Sequence, residues 1–266
     1  MAVINCCICG NASLYHKLFD IDGQELVRCG VCNLLYFKNF KKVDYDKFDM
    51  NYYVKNLSLF HYYQNIIADI ILRYKQKGSL FDIGGGIGIL MGIMKRKGWD
   101  VNGIEASGSG VHNAKRISGV NMSYGDFLKY KIKKKCDVVT ANHVIEHVDN
   151  PNLFLKKMGH MLKNDGIILL GLPNAGSIEF KILRKRWVSL VPSMHIWQFS
   201  PSTIKRLLEN NNFKVIDIII EQPRREFSTL PKKIIGHAIH EPFRFLMNLF
   251  RTGSNMFVIG VKNGNK

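Results

Sequence analysis

A glycine-rich turn lies between an apolar segment and an amphipathic segment of the chain. The apolar segment is 80–83, the turn at 84–88 reads Gly-Gly-Gly-Ile-Gly, and the amphipathic segment is 89–97. A short apolar run before such a turn is typical of a buried strand, and the segment after it has helical periodicity. Because glycine has no Cβ, the backbone of this turn can approach a ligand closely. The sequence therefore predicts a strand, a ligand-binding turn and a helix in direct succession.

The alternation of strand and helix continues along most of the chain. Further predicted strands lie at 100–105, 121–124, 137–141 and 166–172, and predicted helices lie at 59–77, 109–117 and 151–163. The tail contains a predicted helix at 201–211 and predicted strands at 214–221 and 256–261. The long connection between the last two strands permits an antiparallel hairpin. The pattern predicts an α/β fold with a doubly wound, mostly parallel seven-stranded sheet.

Four cysteines near the start form two Cys-x-x-Cys pairs. The pairs are Cys6 with Cys9 and Cys29 with Cys32. Two pairs at this spacing are typical of a tetrahedral zinc site, whose four thiolates leave no open position for catalysis. Disulfides are the alternative, but thiols stay reduced in the cytosol. The sequence predicts a small zinc ribbon over 1–40, in which the metal supplies stability that so small a core lacks.

The chain is strongly basic, with 38 Lys and Arg against 21 Asp and Glu and a net charge of +17. This charge fits an anionic partner such as nucleic acid, a phosphorylated substrate or an anionic membrane. The alternative origin is the compositional bias of an AT-rich genome, because the basic residues are spread along the chain. No apolar run reaches the roughly 18 residues that a membrane span requires, and the first residues lack the pattern of a signal peptide. We expect a soluble, cytoplasmic protein.

One segment is both basic and amphipathic. It lies at 222–253, between the last two predicted strands, and its apolar residues concentrate in 232–250. The basic residues are Lys232, Lys233, Arg244 and Arg251. Such a segment fits a peripheral contact with an anionic membrane at its inner face. Packing on the protein's own sheet or on a second subunit is the alternative.

Two acids stand at the ends of neighbouring predicted strands. Asp82 precedes the glycine turn, and Glu105 ends the next strand. Glu105 is placed to accept hydrogen bonds from both ribose hydroxyls of a nucleoside. A dinucleotide-binding dehydrogenase requires Gly-x-Gly-x-x-Gly in register with the turn, and these glycines do not match it. The pattern favours an adenosyl ligand that is not bound through a phosphate.

Three further motifs follow the predicted strands in order. They are Gly125-Asp126-Phe127 after the third strand, Asn142-His143-Val-Ile-Glu146-His147 after the fourth, and Leu172-Pro173-Asn174 at the end of the fifth. Together with the glycine turn, these motifs make residues 45–262 resemble the class I S-adenosylmethionine-dependent methyltransferases. The cysteine-rich start and the segment 193–201 resemble a bacterial subgroup found with cell-surface sugar and secondary-metabolite biosynthesis.

The resemblance implies that residues 41–266 form a methyltransferase domain with S-adenosylmethionine as its cofactor. The implied cofactor-binding residues are Asp82, Gly84, Gly86, Gly88, Glu105, Asp126, Phe127, Asn142 and His143. Asp82 and the glycines are implied near the methionine part and Glu105 on the ribose. Asp126 and Phe127 are implied around the adenine. Structural roles are the alternative: a helix cap for Asp82, a turn for Asp126 and a core position for Phe127.

Two histidines are candidates for the base of a transfer to oxygen. Taking a proton from a hydroxyl suits a group whose pKa is near neutral, which favours histidine. His195 lies in the segment where this superfamily places substrate-facing residues, and His147 lies in the motif after the fourth strand. Structural histidines are the alternative, and a divalent-metal role for Glu146 and His147 stays open. The segment 143–147 also spells His-x-x-Glu-His, an inverted zinc-protease signature, but no third ligand accompanies it.

The resemblance implies transfer of a methyl group to a hydroxyl of a sugar, a glycan or another small metabolite. The main alternative is an RNA methyltransferase, because a basic charge and a zinc module also occur in such enzymes. Against it, no Asn-Pro-Pro-aromatic tetrapeptide follows the fourth strand. A third hypothesis is a non-catalytic binding module, for which loss of the glycine turn would be the sign.

Overall fold

The computed structural model describes residues 2–40, 50–224 and 230–263, with side chains over 4–40, 50–224 and 240–263. In chain order, the strands are β1 (Ala2–Val3), β2 (Tyr15–Ile21), β3 (Gln24–Cys29), β4 (Leu35–Phe37), β5 (Asn39–Phe40), β6 (Ser79–Ile83), β7 (Asp100–Glu105), β8 (Ser123–Tyr124), β9 (Cys136–Asn142), β10 (Leu162–Pro173), β11 (Trp197–Gln198), β12 (Phe213–Glu221) and β13 (Asn255–Lys262). The α-helices are α1 (Asn51–Lys55), α2 (Leu57–Tyr74), α3 (Ile89–Arg96), α4 (Gly108–Asn113), α5 (Pro151–Met161), α6 (Ile178–Leu183), α7 (Pro201–Asn210) and α8 (Leu230–Leu249).

A seven-stranded sheet in the order β12-β13-β10-β9-β6-β7-β8 forms the centre of the part of the chain that the structure describes. Within this order, each neighbouring pair in the series β10-β9-β6-β7-β8 is parallel. The last strand, β13, lies antiparallel between β10 and β12. This confirms the predicted α/β class, the doubly wound, mostly parallel sheet and the antiparallel pairing of the last two strands.

Helices cover both faces of this sheet. On one face Val138 of β9 belongs to the same buried cluster as α2 and α3. On the other face the next residue, Val139, belongs to a cluster with α5 and α7. Side chains of a strand alternate between the two faces, so a strand covered on both sides is apolar throughout. The core therefore lies in two layers, and the ends of the parallel strands are left for a site.

Some element boundaries differ from those predicted. The helix predicted over 109–117 is divided into α4 and a π-helical turn at Ala114–Ser118. The helix predicted over 151–163 ends at Met161, because Leu162 pairs with Cys136 and begins β10. Periodicity identifies an element, but its ends depend on the neighbours with which it pairs.

The first forty residues form a small antiparallel sheet that takes one strand from the rest of the chain. β2, β3 and β4 pair in sequence, and β11 is added beside β4. The backbone N–H of Phe37 donates to the carbonyl of Ile196 at 3.0 Å, and the rings of Tyr36 and Trp197 lie 5.7 Å apart. The predicted boundary at residue 40 thus separates two parts of the chain that share a sheet.

α8 occupies the predicted basic insertion at 222–253. The structure describes the side chains of α8 from residue 240 onward. In this part of the helix, and at Phe250 directly after it, large apolar side chains are exposed: Phe243, Phe245, Leu246, Leu249 and Phe250. The side chains of Lys232 and Lys233 lie outside those that the structure describes. Among the helices of the described residues, none has both the length and the apolar character that crossing a membrane demands.

Candidate active site

The glycine turn joins β6 to α3 at the carboxyl edge of the sheet. Gly84 has a φ of 68°, in the left-handed region that favours glycine. A Cβ at this position would lie 2.5 Å from Cγ2 of Val144, so no larger residue fits unless that side chain moves. The N–H of Gly84 donates to the carbonyl of Ile104 at 2.8 Å, which holds the turn against β7. The sequence thus forms a bare backbone turn at this edge.

Two buried acids flank the turn. Asp82 accepts a hydrogen bond from the Thr140 hydroxyl at 2.7 Å, and burial raises the pKa of Asp82 to about 7 although this hydrogen bond opposes the shift. Glu105 accepts from the N–H of Gly86 at 2.8 Å and from the N–H of Ser107 at 2.9 Å. Burial raises the pKa of Glu105 above its ordinary value despite these two bonds. Asp82 therefore titrates near neutral pH, and Glu105 fixes the loops that follow β6 and β7.

These acids line a cavity of about 650 Å³ at the carboxyl edge. The predicted site residues in its wall are Asp82, Gly84, Gly86, Glu105, Asp126, Phe127, Asn142, His143 and His147. Two predicted residues, Gly88 and His195, are not in the wall. A Cβ at Gly88 would lie 2.6 Å from Val120, so this glycine allows close packing at the start of α3. A cavity of this volume accommodates a small-molecule ligand or cofactor.

Helices α1 and α2, together with the residue before α1, supply part of the wall that the motifs did not indicate. These residues are Met50, Tyr53, Phe60 and Gln64. Oε1 of Gln64 is buried and has no hydrogen-bond partner among the described residues. The sequence shows only aromatic residues and a helical apolar face here, which does not distinguish a cavity wall from ordinary core.

Asp126 and Phe127 follow β8 and have structural contacts of their own. Oδ1 of Asp126 accepts from the N–H of Leu128 at 2.8 Å and begins a short 3₁₀ turn. The buried ring of Phe127 lies 5.1 Å from the ring of Phe154, edge to face. Both residues also form part of the cavity wall, so a structural role and a ligand-binding role are compatible.

The residues after β9 bring polar side chains to the same edge. Asn142 ends the strand, and its buried Oδ1 has no hydrogen-bond partner within the described part of the chain. His143 has a φ of 53°, which is uncommon for a residue with a Cβ. Its N–H donates to the carbonyl of Gly171 at 2.8 Å. Nδ1 of His143 lies 3.1 Å from Oε1 of Glu146, a buried residue just outside the wall.

The two histidines predicted as bases occupy different positions. His147 lines the cavity, and its Nδ1 lies 2.9 Å from the carbonyl oxygen of Met194. His195 lies away from the wall, with Nδ1 2.7 Å from the carbonyl oxygen of Ser189 and its ring 4.6 Å from that of His147. Burial lowers the pKa of His195 to about 4, although the charge of Glu146 opposes the shift. His195 is therefore neutral at neutral pH and adjoins the cavity through His147.

The four cysteines of the two predicted pairs converge. The sulfur atoms of Cys6, Cys9, Cys29 and Cys32 all lie within 4.8 Å of one another, and none is in a disulfide. The sulfurs of Cys6 and Cys32 are 3.3 Å apart, and those of Cys9 and Cys29 are 3.5 Å apart. A tetrahedral ion about 2.3 Å from each sulfur separates the sulfurs by about 3.8 Å. The cluster therefore fits such an ion once the two short pairs lengthen by a few tenths of an ångström, and Cys7 is not part of it.

Comparison with known proteins places this arrangement among related folds. Residues 59–218 match the family described as "Methyltransferase domain". A ubiquinone biosynthesis O-methyltransferase from Pelagibacter ubique is 30% identical over 167 residues, which are 57% of this chain and 70% of that protein. A SAM-dependent methyltransferase structure from Archaeoglobus fulgidus has a TM-score of 0.58 at 19% identity and covers 79% of this chain and 99% of its own. Magnesium protoporphyrin IX methyltransferase from Synechocystis PCC 6803, solved with bound SAH, has a TM-score of 0.52 at 15% identity. The match covers 77% of this chain and 84% of that protein.

Alanine substitutions in the turn test how closely it is packed. Both Gly84 and Gly86 have left-handed backbone, so each alanine costs about 1–2 kcal/mol. Only Gly84→Ala also contacts Val144, because a Cβ at Gly86 meets nothing within 4 Å. We expect a lower melting temperature for Gly84→Ala than for Gly86→Ala, and partial recovery when Val144→Ala is added. Calorimetry of these proteins and of Val144→Ala alone measures this, and equal melting temperatures for the two glycine variants would contradict it.

Proposed function

The chain belongs to the methyltransferase domain family, and we propose that this S-adenosylmethionine-dependent enzyme transfers the methyl group to a hydroxyl oxygen of a small metabolite. The observation that carries the proposal is the single cavity wall shared by the acids Asp82 and Glu105 and the imidazoles of His143 and His147. Buried acids suit a positively charged methyl donor, and an imidazole suits removal of a hydroxyl proton. The O-methyltransferase from Pelagibacter ubique supports a hydroxyl as the acceptor.

The proposed acceptor is a sugar, a glycan or another small metabolite that carries a hydroxyl. Tyr53 and Phe60 line the cavity with their ring centroids 4.4 Å apart. Aromatic faces of this kind pack against the ring of a sugar or of a phenol. The cavity volume of about 650 Å³ limits the part of the acceptor that enters together with the cofactor to a small group.

The cavity fits the cofactor that the family uses. When bound, S-adenosylmethionine supplies a methyl group activated by a positive sulfonium. The fit is supported at Gly86, whose backbone is left-handed and borders open space, so that a ligand can approach it closely. The proposed contacts are Glu105 with the ribose, Asp82 and the glycine turn with the methionine part, and Asp126 and Phe127 with the adenine. These residues bind and orient the donor, on which an in-line displacement mainly depends.

Asp82 gives cofactor binding a pH dependence. Its pKa of about 7 leaves the carboxyl partly protonated at neutral pH, and a positive ligand beside it favours the ionised form. Binding therefore releases protons near pH 7, and the affinity rises as the pH increases through 7. Calorimetry in buffers of different ionisation enthalpy measures this release, which Asp82→Asn should reduce. The amino group of the ligand titrates in both proteins, so an equal release from both would assign the effect to the ligand.

Methyl labelling identifies the class of acceptor. The purified protein is incubated with methyl-labelled S-adenosylmethionine and a fractionated lysate of the source organism, with Asp82→Asn as the inactive control. We expect label in a small-molecule, sugar or glycan fraction that resists nuclease. Label that nuclease removes would contradict the proposal and favour the RNA methyltransferase instead.

A structural zinc ion held by Cys6, Cys9, Cys29 and Cys32 is part of the proposal. Thiolates at these distances are the ligand set that zinc prefers, and four of them leave no position for a reacting water. The metal would hold together a sheet that includes β11, so its effect reaches the segment that carries His195. Its proposed contribution is to stability and not to the reaction.

Removing one thiolate tests the zinc proposal. Cys29→Ser should reduce the bound metal from about one zinc per chain to near zero, because three thiolates bind zinc far more weakly than four. It should also lower the melting temperature. Cys7→Ser is the matched control, since its sulfur lies outside the cluster, and it should keep the metal. Elemental analysis decides the matter, and equal zinc contents in the two variants would contradict the assignment.

The exposed apolar side chains of α8 support a peripheral contact of 232–250 with an anionic membrane. Phe245, Leu249 and Phe250 are more than half exposed, and such side chains insert at the boundary between headgroups and acyl chains. The protein should therefore co-sediment with phosphatidylglycerol vesicles, and Leu249→Asp with Phe250→Asp should weaken this severalfold. Leu153→Asp, which changes an equally exposed side chain on α5, is the control. Equal sedimentation of all three proteins would contradict the proposal.

A further inference from the structure

We propose that His143 is the general base of this site and that Glu146 holds its imidazole in the reactive tautomer. The inference rests on the proposed transfer to a hydroxyl and names the residue that takes the hydroxyl proton. It assigns His143 a role beyond the cofactor contact that the sequence predicts.

The geometry of the pair defines the tautomer. Nδ1 of His143 lies 3.1 Å from Oε1 of Glu146. An ionised carboxylate can only accept a hydrogen bond, so Nδ1 donates and carries the ring proton. Nε2 is then left with the lone pair that a base requires. The His143 side chain is 45% exposed and lines the cavity, whereas the Glu146 side chain is 1% exposed.

The surroundings keep Glu146 charged. Burial by itself would raise the pKa of this carboxyl. The hydrogen bond that His143 donates is the largest effect opposing burial, and the pKa of Glu146 is lowered below its ordinary value. Glu146 is consequently ionised throughout the neutral range, where it fixes the Nδ1 proton and stabilises the imidazolium that forms when His143 accepts a proton.

The backbone holds His143 at the cavity. Its φ of 53° is in the left-handed region, and residues with a Cβ that adopt this conformation cluster at functional sites. The hydrogen bond from its N–H to Gly171 ties this conformation to β10 at 2.8 Å. The residue directly follows Asn142, which ends β9 in the wall of the same cavity.

The other two histidines of the cluster are less suited to the task. His147 and His195 use Nδ1 to donate to the carbonyls of Met194 and Ser189. Nε2 of His147 lies 4.0 Å from Oε1 of Glu146, and one ring nitrogen of His195 lies within 4.8 Å of a carboxylate oxygen of Glu146. His195 is also absent from the cavity wall. His143 is the imidazole of the three that is widely exposed at the cavity.

The proposed reaction is a direct displacement at the methyl carbon. The acceptor oxygen bonds to the methyl carbon, and the carbon–sulfur bond breaks with its electron pair going to sulfur. The hydroxyl proton passes to Nε2 of His143. The products are a methyl ether, a neutral thioether and an imidazolium paired with the Glu146 carboxylate. The proton passes to water when the products leave.

Acceptors of graded acidity separate a base from a merely structural residue. The probes are ring-substituted ortho-diphenols of similar shape, from an unsubstituted member to a nitro derivative that is already ionised at the assay pH. We expect His143→Ala to lower kcat about 10²–10⁴-fold for the least acidic member and less than about tenfold for the ionised one, which needs no base. His160→Ala, an exposed histidine on α5, is the control and should leave every rate unchanged. A loss for His143→Ala that is uniform across the series would overturn the proposal.

Nitrogen NMR of histidine-labelled protein tests the dyad without any acceptor. At neutral pH, His143 should show the proton on Nδ1 in the wild type, and Glu146→Gln should weaken that preference while circular dichroism confirms folding. A proton on Nε2 in the wild type would overturn the proposal, as would His143 signals that shift on titration with MgCl₂ or ZnCl₂ through metal coordination. If the wild type methylates no member of the series, the phenolic acceptor fails, and the NMR result alone decides the dyad.

Discussion

The parallel pairing of β7, β6, β9 and β10 is the constraint on which the site depends. Neighbouring strands that run in one direction end at one edge of the sheet, which brings together Asp82, Glu105 and Asn142 from distant parts of the sequence. Helices on both faces hold these strands in register, because a shift by one residue would exchange the side chains between two different layers. Hydrogen bonds from Gly86 and Ser107 to Glu105 then join the loops that follow β6 and β7.

Electrostatics at this edge differ from those of the molecule as a whole. The chain has a net charge of +17, yet three buried acids lie at or beside the cavity. Burial raises the pKa of Asp82 and of Glu105, whereas the hydrogen bond from His143 lowers the pKa of Glu146 despite its burial. One fold thus contains acids that gain a proton easily and a carboxylate that stays ionised, and such divergence allows neighbouring groups to take different roles.

Backbone hydrogen bonds connect the sheet that carries the cysteine cluster to Glu146, the residue that positions the proposed base. The carbonyl of Glu146 accepts from the N–H groups of Ile196 at 2.8 Å and Trp197 at 3.2 Å. Trp197 in turn pairs with Tyr36 of β4, in the sheet formed by the first forty residues. The position of Glu146 therefore depends on the small sheet as well as on β9. This gives the proposed zinc ion a structural effect on the site without any contact with a reactant.

Sequence alone determined the strand order along the chain, the glycine turn, the grouping of four cysteines and most of the residues in the cavity wall. These features follow from periodicity, turn chemistry and spacing, which are properties of short segments, together with the rule that parallel strands end at one edge. Only the tertiary structure placed His195 behind His147, added Gln64 to the wall and joined β11 to the first forty residues. It also paired His143 with Glu146. Side-chain pairing within one short segment depends on how the backbone turns, and contacts between distant segments depend on how whole elements pack. Neither can therefore be predicted from the local pattern of the sequence.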